Sequence, residues 1–219
     1  MKSAWIFIIA SIVSAFQVFS PGSAASQEDQ PGRGMFLVAD REMQDPRFRE
    51  AVILLLSADK TGAMGVIINK PTDTKLSEAL SEMGKPDKRK ERLYYGGPVG
   101  TIQLLMLLRS RVMIKDAVRV TGDIVVSSDR GVLVDAILHK RSGEEYRVFA
   151  GYSGWAAGQL EWELKLGQWK VVDADVEMVF HKDAGKVWPV LIRKSEEIMV
   201  QDDGPVLTPS QRRIAALHF

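Results

Sequence analysis

Residues 151 to 163 read Gly-Tyr-Ser-Gly-Trp-Ala-Ala-Gly-Gln-Leu-Glu-Trp-Glu, crowding three glycines, two tryptophans and a serine into the passage from an apolar strand to a helix. The strand is read from Tyr146-Arg147-Val148-Phe149-Ala150. The helix is read from Leu160 and Leu164, four apart on one face, with Gly167 in the post-helix position. A sharp turn is expected between them. Gly151, Gly154 and Gly158 permit positive φ or close backbone approach there, and Trp155 needs a large apolar surface to cover it. The segment therefore builds either a demanding packing corner or a backbone pocket.

Working outward, Met35 to Ala39 reads as a first strand, and Asp45-Pro46-Arg47-Phe48 as a turn that places Phe48 on the core. Ala51 to Ser57 is an apolar run suited to a buried strand. Asp59-Lys60-Thr61-Gly62 reverses the chain, and Met64 to Asn69 returns as the second arm of a hairpin stopped by Pro71. Asp73 or Thr74 is the expected cap of a helix with Leu76, Ala79, Leu80 and Met83 on its apolar stripe and Gly84 at its end. Lys85 to Arg92 reads as a solvated, charged connector. Leu93-Tyr94-Tyr95 leads into a tight Gly96-Gly97-Pro98-Val99-Gly100 turn and the apolar run Ile102 to Leu108. Ile124 to Val126 is a short strand, followed by a helix capped by Ser128 or Asp129 and carrying Val132, Leu133, Ala136 and Ile137. His139 falls near the C-terminal end of that helix. Trp169 to Val172 and Val176 to Phe180 read as strands, and Asp183 as the cap of a helix containing Trp188, Leu191 and Ile192. Thr208-Pro209-Ser210-Gln211 opens a short terminal helix. Strands and helices mix without strict alternation, which points to an α+β (mixed α/β) fold rather than a doubly wound sheet.

With 219 residues, 46% of them hydrophobic, the chain is long enough to bury one substantial core. Lys2, the apolar run Ala4 to Phe19 and the small residues of Pro21-Gly22-Ser23-Ala24-Ala25-Ser26 follow the order of a secretory signal. The organisation expected is a signal peptide over 1–24, a flexible leader over 25–34, a domain over 35–195 and a C-terminal extension over 196–219. This places the protein in the periplasm or outside the cell, with no stable membrane span after cleavage. The alternative is a membrane anchor formed by an uncleaved N-terminal segment. The absence of cysteine excludes disulfides, lipidation of a cysteine and a thiol nucleophile. The formal charge of +1 falls to zero once Lys2 is removed, so no basic field recommends nucleic acid as a partner of an exported chain.

Ser153 invites comparison with a nucleophile elbow, but the second glycine of Gly151-Tyr152-Ser153-Gly154 comes one position early. His139, His181 and His218 stand in no recognisable partner motif. The bland reading is a serine satisfying the backbone at a turn. The scattered histidines provide no zinc site, Asp202-Asp203-Gly204 lacks the other ligands of a calcium loop, and Gly96-Gly97 is not a phosphate loop, so neither metal nor cofactor is expected. Glu161 and Glu163 point to different helix faces and make no carboxylate pair. Asn69 either bridges two turns or lines a small pocket with the glycine turns. The candidate ligand-binding set is Asn69, Gly96, Gly97, Gly151, Tyr152, Ser153, Gly154 and Trp155, for an unknown small-molecule or protein partner.

These motifs together resemble the YqgE/AlgH family. The resemblance runs through Met35-Phe36-Leu37-Val38-Ala39, Asp45-Pro46-Arg47-Phe48, Gly62 to Pro71, Gly96-Gly97-Pro98-Val99 and Gly151 to Glu161, with Trp169 and Trp188 also in place. It covers roughly residues 35 to 193. It implies a branched, mostly antiparallel sheet with a small barrel-like part surrounded by helices. Family members are usually cytoplasmic and begin close to the first strand, whereas about 34 residues precede it here. The expected function is a non-enzymatic binding or regulatory domain in the cell envelope. The alternatives are a Ser153-dependent envelope hydrolase, or a cytoplasmic transcriptional regulator if the N-terminal segment is not an export signal.

Overall fold

A computed structural model of the chain describes residues 31–79, 91–138 and 145–202. The expected signal segment, Leu80, Met83 and Gly84, most of the charged connector, His139, and the terminal helix from Thr208 lie outside the described residues.

The N-terminal apolar runs form β1 (Met35–Ala39), β2 (Val52–Asp59) and β3 (Gly62–Ile67), with β2 and β3 paired antiparallel around Lys60-Thr61. Both faces of β1 and β2 are buried, which explains why their sequences are continuously apolar instead of alternating. Phe36, Val38, Val52 and Leu54 enter one core with Val179, Val187, Leu191 and Ile192. Leu37, Ala39, Ile53 and Leu55 enter a second with Trp155, Leu160 and Trp169. The first core is covered by α5 (Val187–Asp202), whose Trp188 indole donates to the Ala39 carbonyl at 2.7 Å. The second is covered by α3 (Gln159–Lys165) and by Phe48, which meets Trp169 edge-on at 5.6 Å.

β4 (Pro71–Lys75), α1 (Leu76–Ala79), β5 (Arg92–Tyr95), β6 (Val99–Arg109), β7 (Val118–Thr121), β8 (Ile124–Ser127) and α2 (Arg130–Leu138) follow, and then the long β9 (Tyr146–Ala156). β10 (Trp169–Asp173) and α4 (Val176–Val179) complete the sequence between α3 and α5. The strand order is β10-β1-β2-β3-β9-β6-β8-β7, with antiparallel neighbours throughout, while β5 pairs antiparallel with β4 and parallel with β9. The result is an α+β fold built on a mostly antiparallel, curled sheet. The sheet branches on β9. Phe149 and Ala150 pair with β5, whereas Ser153 to Ala156 pair with β3.

Three local expectations are corrected. The sharp turn expected over 151–158 is mostly strand: β9 continues to Ala156, because β3 supplies a partner that local glycine content does not reveal, and only Ala157-Gly158 turns. Val176 to Val179 is a helical turn, not a strand, since the Asp175 carboxylate accepts from the Glu177 amide at 2.9 Å and caps it. Asp73 and Thr74 cap no helix. They lie in β4, where Thr72 Oγ1 donates to the Leu93 carbonyl at 2.8 Å and proline occupies the tolerated first position. Asp129 is the cap of α2, its carboxylate accepting from the Val132 amide at 3.0 Å.

Candidate functional site

Five of the eight candidate residues meet at the branch. The Gly96 amide donates to the Ala150 carbonyl at 2.9 Å, and its own carbonyl accepts from the Ile67 amide at 2.9 Å and from Ser153 Oγ at 3.3 Å. A β-carbon on Gly96 would lie 2.2 Å from the Gly151 carbonyl oxygen, and one on Gly97 would lie 2.3 Å from the Tyr152 carbonyl carbon and 2.4 Å from the Ser153 nitrogen. Glycine is thus required at 96 and 97 by backbone approach, with no volume left for a ligand between the two backbone segments. Ser153 is 0% exposed. Its hydroxyl is committed to a carbonyl, and His181 directs Nδ1 to the Asp183 backbone at 2.8 and 3.1 Å.

The remaining three candidates stand around this junction. Gly154 and Trp155 pair with Met64 and Ala63 on β3. The indoles of Trp155 and Trp169 both donate to Glu163 Oε2 at 2.8 Å, so one carboxylate of α3 ties the end of β9 to β10. That role of Glu163 had no signal in its spacing from Glu161. The Asn69 side chain clasps the single segment that opens β2: Oδ1 accepts from the Val52 amide at 2.9 Å and Nδ2 donates to the Glu50 carbonyl at 2.8 Å. Next to it, Lys70 Nζ donates to the Arg47 carbonyl and the Lys70 carbonyl accepts from the Tyr95 amide, each at 2.8 Å. Five of the motif residues therefore assemble at the branch, and the side-chain polar groups of Ser153, Trp155 and Asn69 are each committed to a partner within the protein.

An open concavity lies beside them on the same two strands. It measures about 320 Å³, and its lining includes Leu76, Tyr94, Arg147, Val148, Phe180 and Lys182. None of the eight candidates lines it, nor the larger cavity of about 470 Å³ between α2 and the loop of Val112 and Met113. Arg147 is only 8% exposed. Its guanidinium donates to the Ile68 carbonyl at 3.1 Å and to the His181 carbonyl, and it lies over the Tyr94 ring at 4.6 Å from the centroid. Burial pushes its pKa down from the ordinary arginine value, with Tyr94 and Glu145 opposing that shift. The signal for Arg147 was a lone cation inside an otherwise apolar strand, in phase with Phe149. Among the described residues no three His, Asp or Glu side chains are grouped to hold a metal ion.

Residues 36–198 match the model of the AlgH-like domain family. The chain belongs to the AlgH-like family. AlgH-like sequence extends to a UPF0301 protein of Vibrio cholerae, 34% identical over 167 residues that cover 73% of this chain and 89% of that one. A UPF0301 protein of Desulfotalea psychrophila is 36% identical over 159 residues, covering 71% of this chain and 83% of its own. The AlgH-like fold is shared with the solution structure of the AlgH protein from Pseudomonas aeruginosa, at a TM-score of 0.64 and 27% identity over 82% of this chain and 98% of that one. A crystal structure of a protein from Corynebacterium diphtheriae aligns at the same TM-score with 25% identity, covering 77% and 89% of the two chains.

Proposed function

We propose that this AlgH-like chain is a non-enzymatic binding or regulatory domain that acts in the cell envelope after export. The carrying observation is the state of Ser153, the one residue that invites a catalytic reading. It is sealed from solvent, and its hydroxyl donates to the Gly96 carbonyl instead of facing a base. A serine in that position serves the junction of two strands. The open, mixed polar and apolar concavity whose β9 lining ends at Val148, five residues before Ser153, has the character of a recognition surface. The envelope address is supported by the sequence alone, through Lys2, the apolar run Ala4 to Phe19 and the small residues that follow. Among the described residues no helix is long and apolar enough to cross a membrane.

Cell fractionation of the full chain with N-terminal sequencing tests the address. Recovery from the periplasm with a new N-terminus near residue 25 is expected, and recovery only from the cytosol would remove the envelope from the reading. A serine-reactive probe tests the rest: no labelling is expected, whereas labelling that disappears in Ser153→Ala would establish the hydrolase instead.

A further inference from the structure

The concavity beside the junction has an unbalanced wall. Two of its charged groups are matched on the spot: Arg92 pairs with Asp73 at 3.0 Å, and Glu145 accepts from Arg109 at 2.9 Å. Arg147 and Lys182 also line the concavity, and neither forms an ion pair among the described residues. Arg147 is the decisive group. A guanidinium carries five N–H donors in one plane, and two are directed at the Ile68 and His181 carbonyls. One face of the plane is covered by the Tyr94 ring. The group is buried and held by two neutral carbonyls and the Tyr94 ring, with the Glu145 carboxylate acting on it only from beyond ion-pair distance, an arrangement that leaves room for an anion in direct contact. Leu76, Val148 and Phe180 give the same cavity an apolar side.

We propose that this cavity binds a small organic anion, its carboxylate or phosphate group docked on Arg147 and Lys182 and its carbon body against Leu76, Val148 and Phe180. A guanidinium fork matches the geometry of both head groups, while Lys182 adds a point charge at the mouth. The volume of about 320 Å³ sits at the small end of ligand sites and suits a single ring with one head group. The inference rests on the reading of the protein as a binding domain.

The test titrates the full chain with benzoate, phenyl phosphate and, as the neutral control, benzyl alcohol, following the thermal midpoint and the backbone amide shifts. At least one anion raises the midpoint, the alcohol does not, and the perturbed amides cluster at Tyr94, Val148, Phe180 and Lys182. Whichever anion acts identifies the head group. Lys182→Gln, on an exposed residue, weakens binding about tenfold, and Arg147→Met removes it by about a hundredfold or more. If Arg147→Met does not fold, Lys182→Gln and the amide map decide. No midpoint change with either anion, an equal change with the alcohol, amide shifts centred elsewhere, or unaltered binding in either folded variant overturns the proposal. Such a failure leaves the binding-domain reading standing, since serine labelling is the result that removes that one.

Discussion

β5 and β9 run side by side, and within a few residues they make two opposite environments. At Tyr94 and Arg147 the side chains are large, one is charged, and the strands open onto a concavity. At Gly96-Gly97 and Gly151 to Ser153 the side chains vanish or turn inward, and the backbones close until a single β-carbon would overlap its neighbour. The same pair of strands is a recognition wall at one end and a seal at the other. The seal carries the glycine-rich motifs on which the sequence reading began, so in this chain the most conspicuous sequence motif marks the place where the sheet branches. Chemistry is offered by the less conspicuous neighbour. Close packing tolerates no latitude, whereas a cavity wall tolerates change in everything except the groups that recognise.

The largest effect is expected from breaking the seal. Gly97→Ala places a methyl group 2.3 Å from the Tyr152 carbonyl carbon, and both neighbours are backbone, so the strands must part. A loss of about 3 kcal/mol or more in urea unfolding follows. A change below about 1 kcal/mol would mean that the junction is compliant and that the contrast with the concavity is weak.

The concavity should yield less. Arg147→Met keeps most of the side-chain volume but removes the donors to the Ile68 and His181 carbonyls, costing about 1 to 3 kcal/mol. It also removes a buried charge, which offsets part of that loss. If the variant proved as damaging as Gly97→Ala, Arg147 would be a structural brace of the same rank as the glycines.

Ser153→Ala is the mildest probe of the seal itself. The Gly96 carbonyl keeps its bond from the Ile67 amide, so the expected loss is within about 1 kcal/mol. A cost several times larger would show that the hydroxyl organises the branch.

What was readable locally was read from residues whose own neighbours determine them. The buried hairpin of β2 and β3 announces itself through a continuous apolar run and a polar turn, and α3 through Leu160, Leu164 and Gly167. The second half of β9 was not readable, because its glycines look like a turn until β3, some 90 residues earlier, supplies the hydrogen bonds. Val176 to Phe180 is as apolar and β-branched as a short strand, and its first four residues become a helical turn capped by one carboxylate. The junction residues were legible as a group, since glycines concentrated in separate motifs point to close approach. The stacking of Arg147 on Tyr94 depends on the parallel pairing of β5 with β9, which no local pattern encodes.

The outer rim of the seal gives the smallest and most specific prediction. Asp45 holds the turn whose Arg47 carbonyl receives Lys70, and hydrogen bonds from the Arg47 guanidinium hold the Asp45 carboxyl below its ordinary range. A carboxyl with a lower pKa in the folded state adds stability above its unfolded pKa, and that stability is lost as the pH falls through the folded value. Asp45→Asn keeps the acceptor for the Arg47 amide and removes the charge. The pair is largely exposed, so the expected loss at about pH 7 is below about 1 kcal/mol. The urea curves of wild type and variant should converge as the pH drops below the usual carboxylate range. A gap that persists there would mean that the turn depends on the shape of the side chain and not on its charge, and the rim would then belong to the seal in the same steric sense as Gly97.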